Sequence, residues 1–425
     1  MVPHRSPMKA LVIVMIALLS ACGLVDNPPG PNVTPLPSVK RDPSVGVVAE
    51  GPYAVKGVLR GADGPVADAL VTLGDQRALS DADGRFEFTD AQPGVIVVKG
   101  AGYFPYEFTY SRGNLTLETT MERRPVARAL RVYSEVAHSD AAFQALLDLA
   151  AGTTVNTLVF DTKDETARVL YATQVPEALA LGFVVPRYDP AARVAQAKEA
   201  GLYTVTRVVT FEDSNWAGAR PDHQLARSWI DPLNEEAWEY PLGLAVEACQ
   251  LGFDEVQFDY VRFPTGVAAR EARAKRSLTE DQRNAAIAAF LEEAAARLHA
   301  EGCAISADIF GIVMSMPNDQ GIGQRIEEVT AHLDAVSPML YPSHYGPGWL
   351  GYNDPNDYPG PVIAQALDAG MPRVAAGVEM RPWIQAFYYN GEQVRAQIDA
   401  AEARGAGWIL WNYAGNYSAD MLPPR

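Results

Sequence analysis

Histidine and cysteine are both scarce in this chain, with six histidines and three cysteines in 425 residues. The histidines show no H-x-H or H-E-x-x-H spacing, so the pattern predicts neither a metal site nor a cofactor. Three cysteines are too few for a disulfide scaffold. Cations are outnumbered as well: Lys+Arg 35 against Asp+Glu 52 gives a net charge of −17. That balance argues against nucleic acid as a partner, because phosphate binding needs clustered cations.

Long hydrophobic runs are equally few, and the clearest one lies near the start, at residues 10–19. At about ten residues it is too short to span a bilayer and has the length of a signal-peptide core. It ends in Leu19–Cys22 (sequence LSAC), which resembles a bacterial lipobox. We therefore predict a lipoprotein signal peptide at 1–21 and an exported protein held to the membrane of the cell envelope by lipid on Cys22. The alternative is a plain secretory signal.

Residues 22–52 are rich in proline and are predicted to be an extended tether. From 53 to 124, short apolar runs are separated by turn residues every 8–12 positions, which is typical of an antiparallel β-sandwich. The order of its motifs (Gly64–Val66, Asp83–Phe86, Gly102-Tyr103) resembles the carboxypeptidase regulatory-like domain. That resemblance implies a spacer or binding module. Asp81–Gly84 is interpreted as a turn rather than a calcium loop, since no Glu stands at the twelfth position.

From 127 to 417, strands alternate with helical stretches, which indicates a parallel α/β sheet. Helices are expected at 141–151, 191–200, 284–300 and 392–404. Eight strands in this length favour a (β/α)8 TIM barrel over a doubly wound sheet, since no G-x-G-x-x-G follows the first strand. The strands are expected near 130–134, 155–161, 202–208, 254–260, 303–308, 334–340, 378–385 and 407–412.

Carboxylates stand at the ends of the fourth and fifth predicted strands. Gln257 and Asp259 share one face of the fourth strand, and Asp308 ends the fifth. Neighbouring strands lie about 4.8 Å apart, so the two carboxyl groups are expected at the spacing of a glycosidase pair. We predict Asp259 as nucleophile or stabilising carboxylate and Asp308 as acid/base partner. The alternative is a structural pair bonded to arginine or tyrosine.

Other acidic residues near strand ends are weaker catalytic candidates. Asp161 and Asp164, after the second strand, are held in reserve. Glu379 is expected to face the opposite end of the barrel. Polar and aromatic residues at the same strand ends are predicted to bind substrate, because indole faces stack on sugar rings. These are Asp161, Arg207, Gln257, Arg262, Tyr341, His344, Trp383, Gln385 and Trp411.

These strand-end segments together resemble a family of TIM-barrel domains of bacterial surface proteins, classed as glycoside hydrolases of unknown substrate. The similarity spans 127–417, and its most specific parts are Gly252–Pro264 and Ser337–Tyr345. It implies a TIM barrel that acts on polysaccharide. The fourth strand also loosely resembles that of chitinases, but Val261 stands where their acid residue would be. A chitinase-like substrate-assisted mechanism is therefore disfavoured.

Three functions remain open on the sequence alone. The first is a cell-envelope glycoside hydrolase that cleaves a polysaccharide with paired carboxylates. The second is a lipoprotein that binds glycan without cleaving it, and the third is an envelope scaffold. Cys249 and Cys303, in apolar settings, are interpreted as core residues without a disulfide.

Overall fold

The structure is a computed structural model that describes residues 52–425. The predicted signal peptide, the lipidation site Cys22 and the tether up to residue 51 lie outside the described residues. No helix in the described part has both the length and the apolarity needed to cross a bilayer.

Two small sheets form the N-terminal sandwich. One has the order β2-β1-β5 with β8 added beside β1, and the other has the order β4-β3-β6-β7. All pairs are antiparallel except β1 with β8, which run parallel. The alternating burial along β1 and β5 places Val55, Leu59, Phe86 and Phe88 between the sheets. The strands are β1 Val55–Gly61, β2 Gly64–Pro65, β3 Leu70–Leu73, β4 Gln76–Leu79, β5 Arg85–Phe88, β6 Gly94–Lys99, β7 Tyr106–Tyr110 and β8 Leu115–Thr120.

The second region is a closed parallel barrel of eight strand positions, as predicted. The seventh position is split between β17 and β18, which both pair with β16. Pairing of β19 with β9, and of β15 with β16, closes the ring. The strands are β9 Arg128–Arg131, β10 Thr157–Lys163, β11 Tyr203–Val209, β14 Glu255–Asp259, β15 Ala304–Phe310, β16 Ala335–Leu340, β17 Glu379–Met380, β18 Trp383–Gln385 and β19 Trp408–Trp411, with a short hairpin of β12 Gln224–Ala226 and β13 Trp229–Ile230 after β11.

Helices lie between the barrel strands and cover the sheet. The longest begins at a capping box on Thr279 and buries Ile287, Phe290, Leu291 and Leu298 along one face. The four helices predicted from periodicity are all present, with ends shifted by no more than four residues. The helices are α1 Ser134–His138, α2 Asp140–Ala151, α3 Pro176–Leu181, α4 Pro190–Glu199, α5 Ser214–Ala219, α6 Glu239–Gln250, α7 Gly266–Lys275, α8 Glu280–Ala300, α9 Ile326–Val329, α10 Pro359–Gly370 and α11 Gly391–Glu402.

The sandwich packs against the N-terminal end of the barrel. The Arg124 guanidinium lies between the rings of Phe104 and Tyr203, 4.6 and 4.9 Å from their centres. Arg77 also pairs with Glu301, at 3.2 Å. The C-terminal end of the barrel, where (β/α)8 enzymes carry their active sites, is therefore on the side away from the sandwich.

The prediction that Cys249 and Cys303 stay unpaired is wrong. The two residues form a disulfide, with Cα atoms 5.9 Å apart. Cys249 lies near the end of α6 and Cys303 immediately precedes β15, and the chain geometry brings these two points together in space. Sequence separation of 54 residues concealed this contact.

Replacing both cysteines by alanine is expected to lower the free energy of unfolding by about 2–4 kcal/mol, because the unfolded chain loses a long covalent loop. Urea unfolding with and without dithiothreitol measures the effect. Dithiothreitol should leave the free energy of unfolding of the double variant unchanged. In the wild type, it should lower the free energy of unfolding to that of the double variant. Two free thiols in native protein purified from an oxidising compartment would contradict the pairing.

Candidate active site

A cavity of about 510 Å³ opens at the C-terminal end of the barrel. Its walls are mainly aromatic and its floor is charged, which is the composition of a site that binds a largely apolar ring face with a few directing polar groups. The lining residues are Glu165, Arg207, Asp259, Tyr260, Arg262, Phe310, Gly311, Ile312, Met339, Tyr341, His344, Tyr345, Trp383, Phe387, Trp411 and Tyr413.

Asp259 reaches this cavity because of the period of strand β14. Glu255, Gln257 and Asp259 alternate with Val256 and Phe258, and the register sets Gln257 beside Ser306 of β15. Asp259 therefore ends its strand beside Asp308. Tyr260 follows with a φ of 52°, and its backbone N–H donates to Asp259 Oδ1 at 2.5 Å. This left-handed residue turns the chain sharply at the strand end.

Arg207 lies at the centre of the charged floor. Its guanidinium donates to Asp259 Oδ2 at 2.9 and 2.5 Å, to Asp161 at 3.0 Å, and to Glu165. Its Nε also lies 3.6 Å from Asp308 Oδ2. The side chain is almost fully buried, so a single cation holds four carboxyl groups together beneath the cavity.

Asp308 is close to Asp259 but lies below the cavity lining. The nitrogen–oxygen distances of 2.9 and 3.6 Å from Arg207 Nε limit the separation of the nearest Asp259 and Asp308 oxygens to about 6.5 Å. The Trp383 indole N–H donates to Asp308 Oδ1 at 2.6 Å, and Oδ2 accepts no hydrogen bond. Burial, reinforced by the charge of Asp259, raises the pKa of Asp308 well above its usual range despite the nearby Arg207. Burial thus favours the protonated form of Asp308.

Glu165 is a cavity carboxylate that we did not predict. Partial burial acts to raise its pKa, but the positive charges of Arg207 and Arg131 outweigh burial and lower the pKa to about 2. Arg131, also unpredicted, donates to Asp161 at 2.6 Å and is stacked on Trp411, 4.0 Å from the ring centre. Both residues could have been found from the sequence: Glu165 directly extends the polar run after β10, and Arg131 is a charged residue at the end of the first barrel strand.

The structure divides the predicted substrate-binding residues into two groups. Six of them line the cavity: Arg207, Arg262, Tyr341, His344, Trp383 and Trp411. Asp161, Gln257 and Gln385 are fully buried outside its lining, so their predicted contact with substrate is not supported. Asp161 binds Arg131 and Arg207, Gln257 donates to Ser337, and Gln385 accepts from Ser343. These three side chains bond to neighbouring polar groups, because inward-facing strand residues deep in a barrel have no access to the mouth.

Two further predictions about carboxylates can be compared with the structure. Glu379, in β17, accepts from the Ala127 N–H at 2.7 Å and borders a smaller cavity at the opposite end of the barrel, as expected. Asp164 accepts hydrogen bonds from Thr166 beside the site rather than facing into the cavity. In residues 52–425, no group of three or more His, Cys, Asp or Glu side chains is arranged to hold a metal ion.

Comparison with known sequences places this geometry in a family. Residues 129–417 match the family described as "Putative glycosyl hydrolase domain". The chain belongs to this glycosyl hydrolase domain family. The matched region begins within the first barrel strand and ends after the last, so family membership rests on the whole barrel. No curated protein sequence matches the chain.

The chain is also similar to parts of several solved structures. The glycoside hydrolase domain of PgaB (BpsB) from Bordetella bronchiseptica is 12% identical, covering 70% of this chain and 99% of that one, with a TM-score of 0.53. A hypothetical protein from Ruminiclostridium thermocellum ATCC 27405 is 28% identical over 43% of this chain and 97% of its own, with a TM-score of 0.36. The glycoside hydrolase domain of PelA from Pseudomonas aeruginosa is 13% identical. That match covers 69% of this chain and 97% of the PelA domain, with a TM-score of 0.43.

The low pKa of Glu165 makes a prediction about pH. Its folded-state pKa lies below its ordinary value of 4.5, so Glu165 stabilises the fold above pH 4.5 and loses that contribution as pH falls toward 2. The difference in unfolding free energy between wild type and Glu165→Gln should therefore shrink as pH is lowered through this window. Urea unfolding between pH 5.5 and 3 measures it.

The neighbouring Asp164 is the matched control for that experiment. Burial raises the pKa of Asp164, so its ionisation disfavours the folded state as pH rises through 3.8. The difference between wild type and Asp164→Asn should move with pH in the opposite direction to that of Glu165→Gln. Parallel pH trends for the two variants would contradict both assignments.

Proposed function

We propose that this protein is an exported, lipid-anchored glycoside hydrolase that cleaves a polysaccharide in the cavity at the C-terminal end of its barrel. The observation that carries the proposal is the position of two neighbouring carboxyl groups at an aromatic cavity: Asp259, bound by Arg207, and Asp308, which accepts from the Trp383 indole N–H and whose pKa is raised by burial. Glycosidic cleavage needs one carboxylate and one proton donor. The family match and the fold shared with the PgaB glycoside hydrolase domain support the same reaction class.

In the proposed mechanism, Asp259 attacks or stabilises the anomeric carbon while the leaving oxygen receives the proton of Asp308. Arg207 orients Asp259 through two hydrogen bonds to its Oδ2. The other carboxylate oxygen, Oδ1, accepts a hydrogen bond from the Tyr260 backbone N–H. Trp383 orients Asp308 from the other side. Asp308 lies below the cavity lining, so proton transfer requires either that the substrate reach deeper or that the Trp383 indole shift. Such a rearrangement is common, because catalytic hydrogen bonds often tighten only when substrate is bound.

The proton donor can be identified with substrates that do not need one. A dinitrophenolate leaving group departs without protonation, so Asp308→Asn should retain activity on a dinitrophenyl glycoside while losing about 10²–10⁴-fold on polysaccharide. Glu165→Gln and Glu212→Gln are tested in parallel, since Glu212 is the other carboxyl near Asp259 whose pKa is raised by burial. If only one of these two glutamine variants keeps activity on the dinitrophenyl glycoside while losing activity on polysaccharide, that glutamate is the proton donor. The assignment of Asp308 as donor would then be wrong.

Hydrolysis itself is tested by release of reducing ends from a panel of neutral, amino and acidic polysaccharides by the full chain. Release that depends on Asp259 supports the hydrolase. Retention of a glycan on an affinity gel without any release would favour the second candidate, a glycan-binding lipoprotein, because the aromatic cavity would still bind sugar.

The location at the envelope rests on the LSAC motif at Cys22 and on the disulfide of the barrel, because disulfides persist in oxidising compartments. Palmitate labelling and membrane fractionation of wild type and Cys22→Ser test the anchor. A soluble wild type would contradict it. We further propose that residues 53–124 are a carboxypeptidase regulatory-like domain that acts as a spacer, consistent with their position at the end of the barrel away from the cavity.

A further inference from the structure

Arg262 differs from the other buried arginines of the barrel. Arg131, Arg207 and Arg381 each contact a buried carboxylate within 4.0 Å, and Arg193 contacts the exposed carboxylate of Asp140 at 2.6 Å. Arg262 is only 5% exposed, yet no carboxylate of the described residues lies within ion-pair distance of it. Its single hydrogen bond within this part of the chain runs from Nη1 to the Phe263 carbonyl oxygen at 3.1 Å. Most of its N–H donors are therefore uncommitted.

Aromatic rings hold this guanidinium at the cavity. Its central carbon lies 4.6 Å from the ring centre of Trp229, 5.1 Å from Tyr260 and 4.3 Å from Phe310. Cation–π contacts offset part of the cost of burying the charge, but they leave in-plane donors unused. Burial acts to lower the pKa of Arg262, against the more distant charges of Asp259 and Glu212. An arginine nevertheless stays charged, so the site holds a buried cation that lacks a partner anion.

The surroundings indicate what kind of anion fits. Arg262 and Asp259, which are three residues apart in the chain, line the same cavity, and Trp383 and Trp411 also line it. A planar guanidinium with free donors binds oxyanions such as carboxylate or sulfate through paired hydrogen bonds. The aromatic walls suit a sugar ring attached to that anion better than a free inorganic ion.

We propose that Arg262 forms an anion subsite beside Asp259, and that the glycan cleaved here carries an acidic substituent, a uronic carboxylate or an ester sulfate, on a sugar next to the scissile bond. This inference rests on the proposed glycoside hydrolase function. The subsite makes the enzyme selective for acidic glycan, because a neutral sugar leaves the buried guanidinium unpaired.

Equilibrium binding in the Asp259→Asn background tests the subsite, since bound glycan is then not consumed. The probes are uronic-acid oligosaccharides, the methyl esters of the same oligosaccharides, and sulfated and unsulfated neutral oligosaccharides, followed by calorimetry and tryptophan fluorescence. We expect at least one acidic probe to bind tenfold or more tightly than its uncharged counterpart. Preference for uronate over its ester identifies carboxylate, and preference only in the sulfated pair identifies sulfate.

Three variants separate the charge of Arg262 from its packing. Arg262→Gln should abolish the preference for the acidic probe, whereas Arg262→Lys should retain a reduced preference, because an ammonium keeps the charge without the planar fork. Arg270→Gln, an exposed arginine of α7, should leave the preference unchanged. Thermal unfolding of each variant shows whether the fold persists. A preference that survives in a folded Arg262→Gln variant overturns the proposal.

Failure of the subsite and failure of the hydrolase give different results. Wild-type release of reducing ends from neutral glycan, with no acidic probe bound better than its uncharged counterpart, overturns the anion subsite and leaves the hydrolase standing. Arg262-dependent binding of an acidic probe, with no release from any glycan, contradicts the hydrolase and leaves the subsite standing. If no acidic probe binds at all, the subsite is overturned as well.

Discussion

Replacement of Arg207 by methionine should lower the free energy of unfolding by about 3–5 kcal/mol, since removal of one partner leaves buried charge uncompensated. Arg207 is the cation that hydrogen-bonds both Asp161 and Asp259, and both carboxylates are buried. Such a loss is a large fraction of the 5–15 kcal/mol that stabilises a typical domain. Urea unfolding of both proteins measures the difference.

A surface arginine of similar geometry is the control for Arg207. Arg404 binds Asp368 through two hydrogen bonds of 2.7 Å, but Asp368 is 60% exposed. Arg404→Met should therefore cost no more than about 1 kcal/mol.

If Arg207→Met is too unstable to purify, the double variant with Asp259→Asn keeps the prediction testable. Removing the charge of Asp259 should recover part of the lost stability, since the two side chains are directly coupled. The prediction would be wrong if Arg207→Met lowered the free energy of unfolding by less than about 1 kcal/mol, or if the double variant were no more stable than Arg207→Met. Either result would show that the buried carboxyl groups around Arg207 do not depend on its charge.

Replacement of Asp259 by asparagine should lower kcat/KM on the polysaccharide by about 10³-fold or more, equivalent to about 4 kcal/mol of transition-state stabilisation. The amide keeps the size of the side chain but neither attacks nor stabilises a positively charged anomeric centre. Reducing-end release measures the rate, and thermal unfolding confirms that the variant is folded. Retention of the anomeric configuration by the wild type, together with formation of a glycosyl azide of inverted configuration when azide is added to Asp259→Ala, would identify Asp259 as a nucleophile rather than a stabilising carboxylate.

The control for Asp259 is the aspartate immediately before the same strand. Asp254 precedes β14 at the other end of the barrel, where its carboxylate accepts from the Thr204 N–H at 2.9 Å. Asp254→Asn retains an oxygen for that bond and should leave kcat/KM unchanged. Equal loss of rate in both variants would mean that the decrease for Asp259→Asn reflects damage to the strand rather than to the site.

Periodicity was sufficient to predict the barrel and the placement of most of its polar residues. The eight strand positions follow from alternating strands and helices, because such a pattern buries both faces of a parallel sheet. The proximity of Asp259 and Asp308 also follows from local rules, since side chains alternate along each strand and neighbouring strands align their ends.

Depth within the barrel could not be predicted from those rules. Asp161, Gln257 and Gln385 were expected at the substrate because they lie at or near strand ends, but small shifts along a tilted strand decide whether a side chain meets the cavity or the core. Asp308 is buried outside the cavity lining for the same reason. Glu165 was missed because loop conformation, rather than period, brings it beside Arg207.

The sequence by itself determined the fold class, the end of the barrel that carries the charged residues, and the proximity of the two carboxyl groups of Asp259 and Asp308, because strand period and residue type are local properties. Only the tertiary structure decided how those charges are balanced. One arginine joins four carboxyl groups, one disulfide links two points 54 residues apart, and Arg262 is left without an anion among the described residues. These are contacts between distant parts of the chain, and they depend on distances that no local pattern encodes.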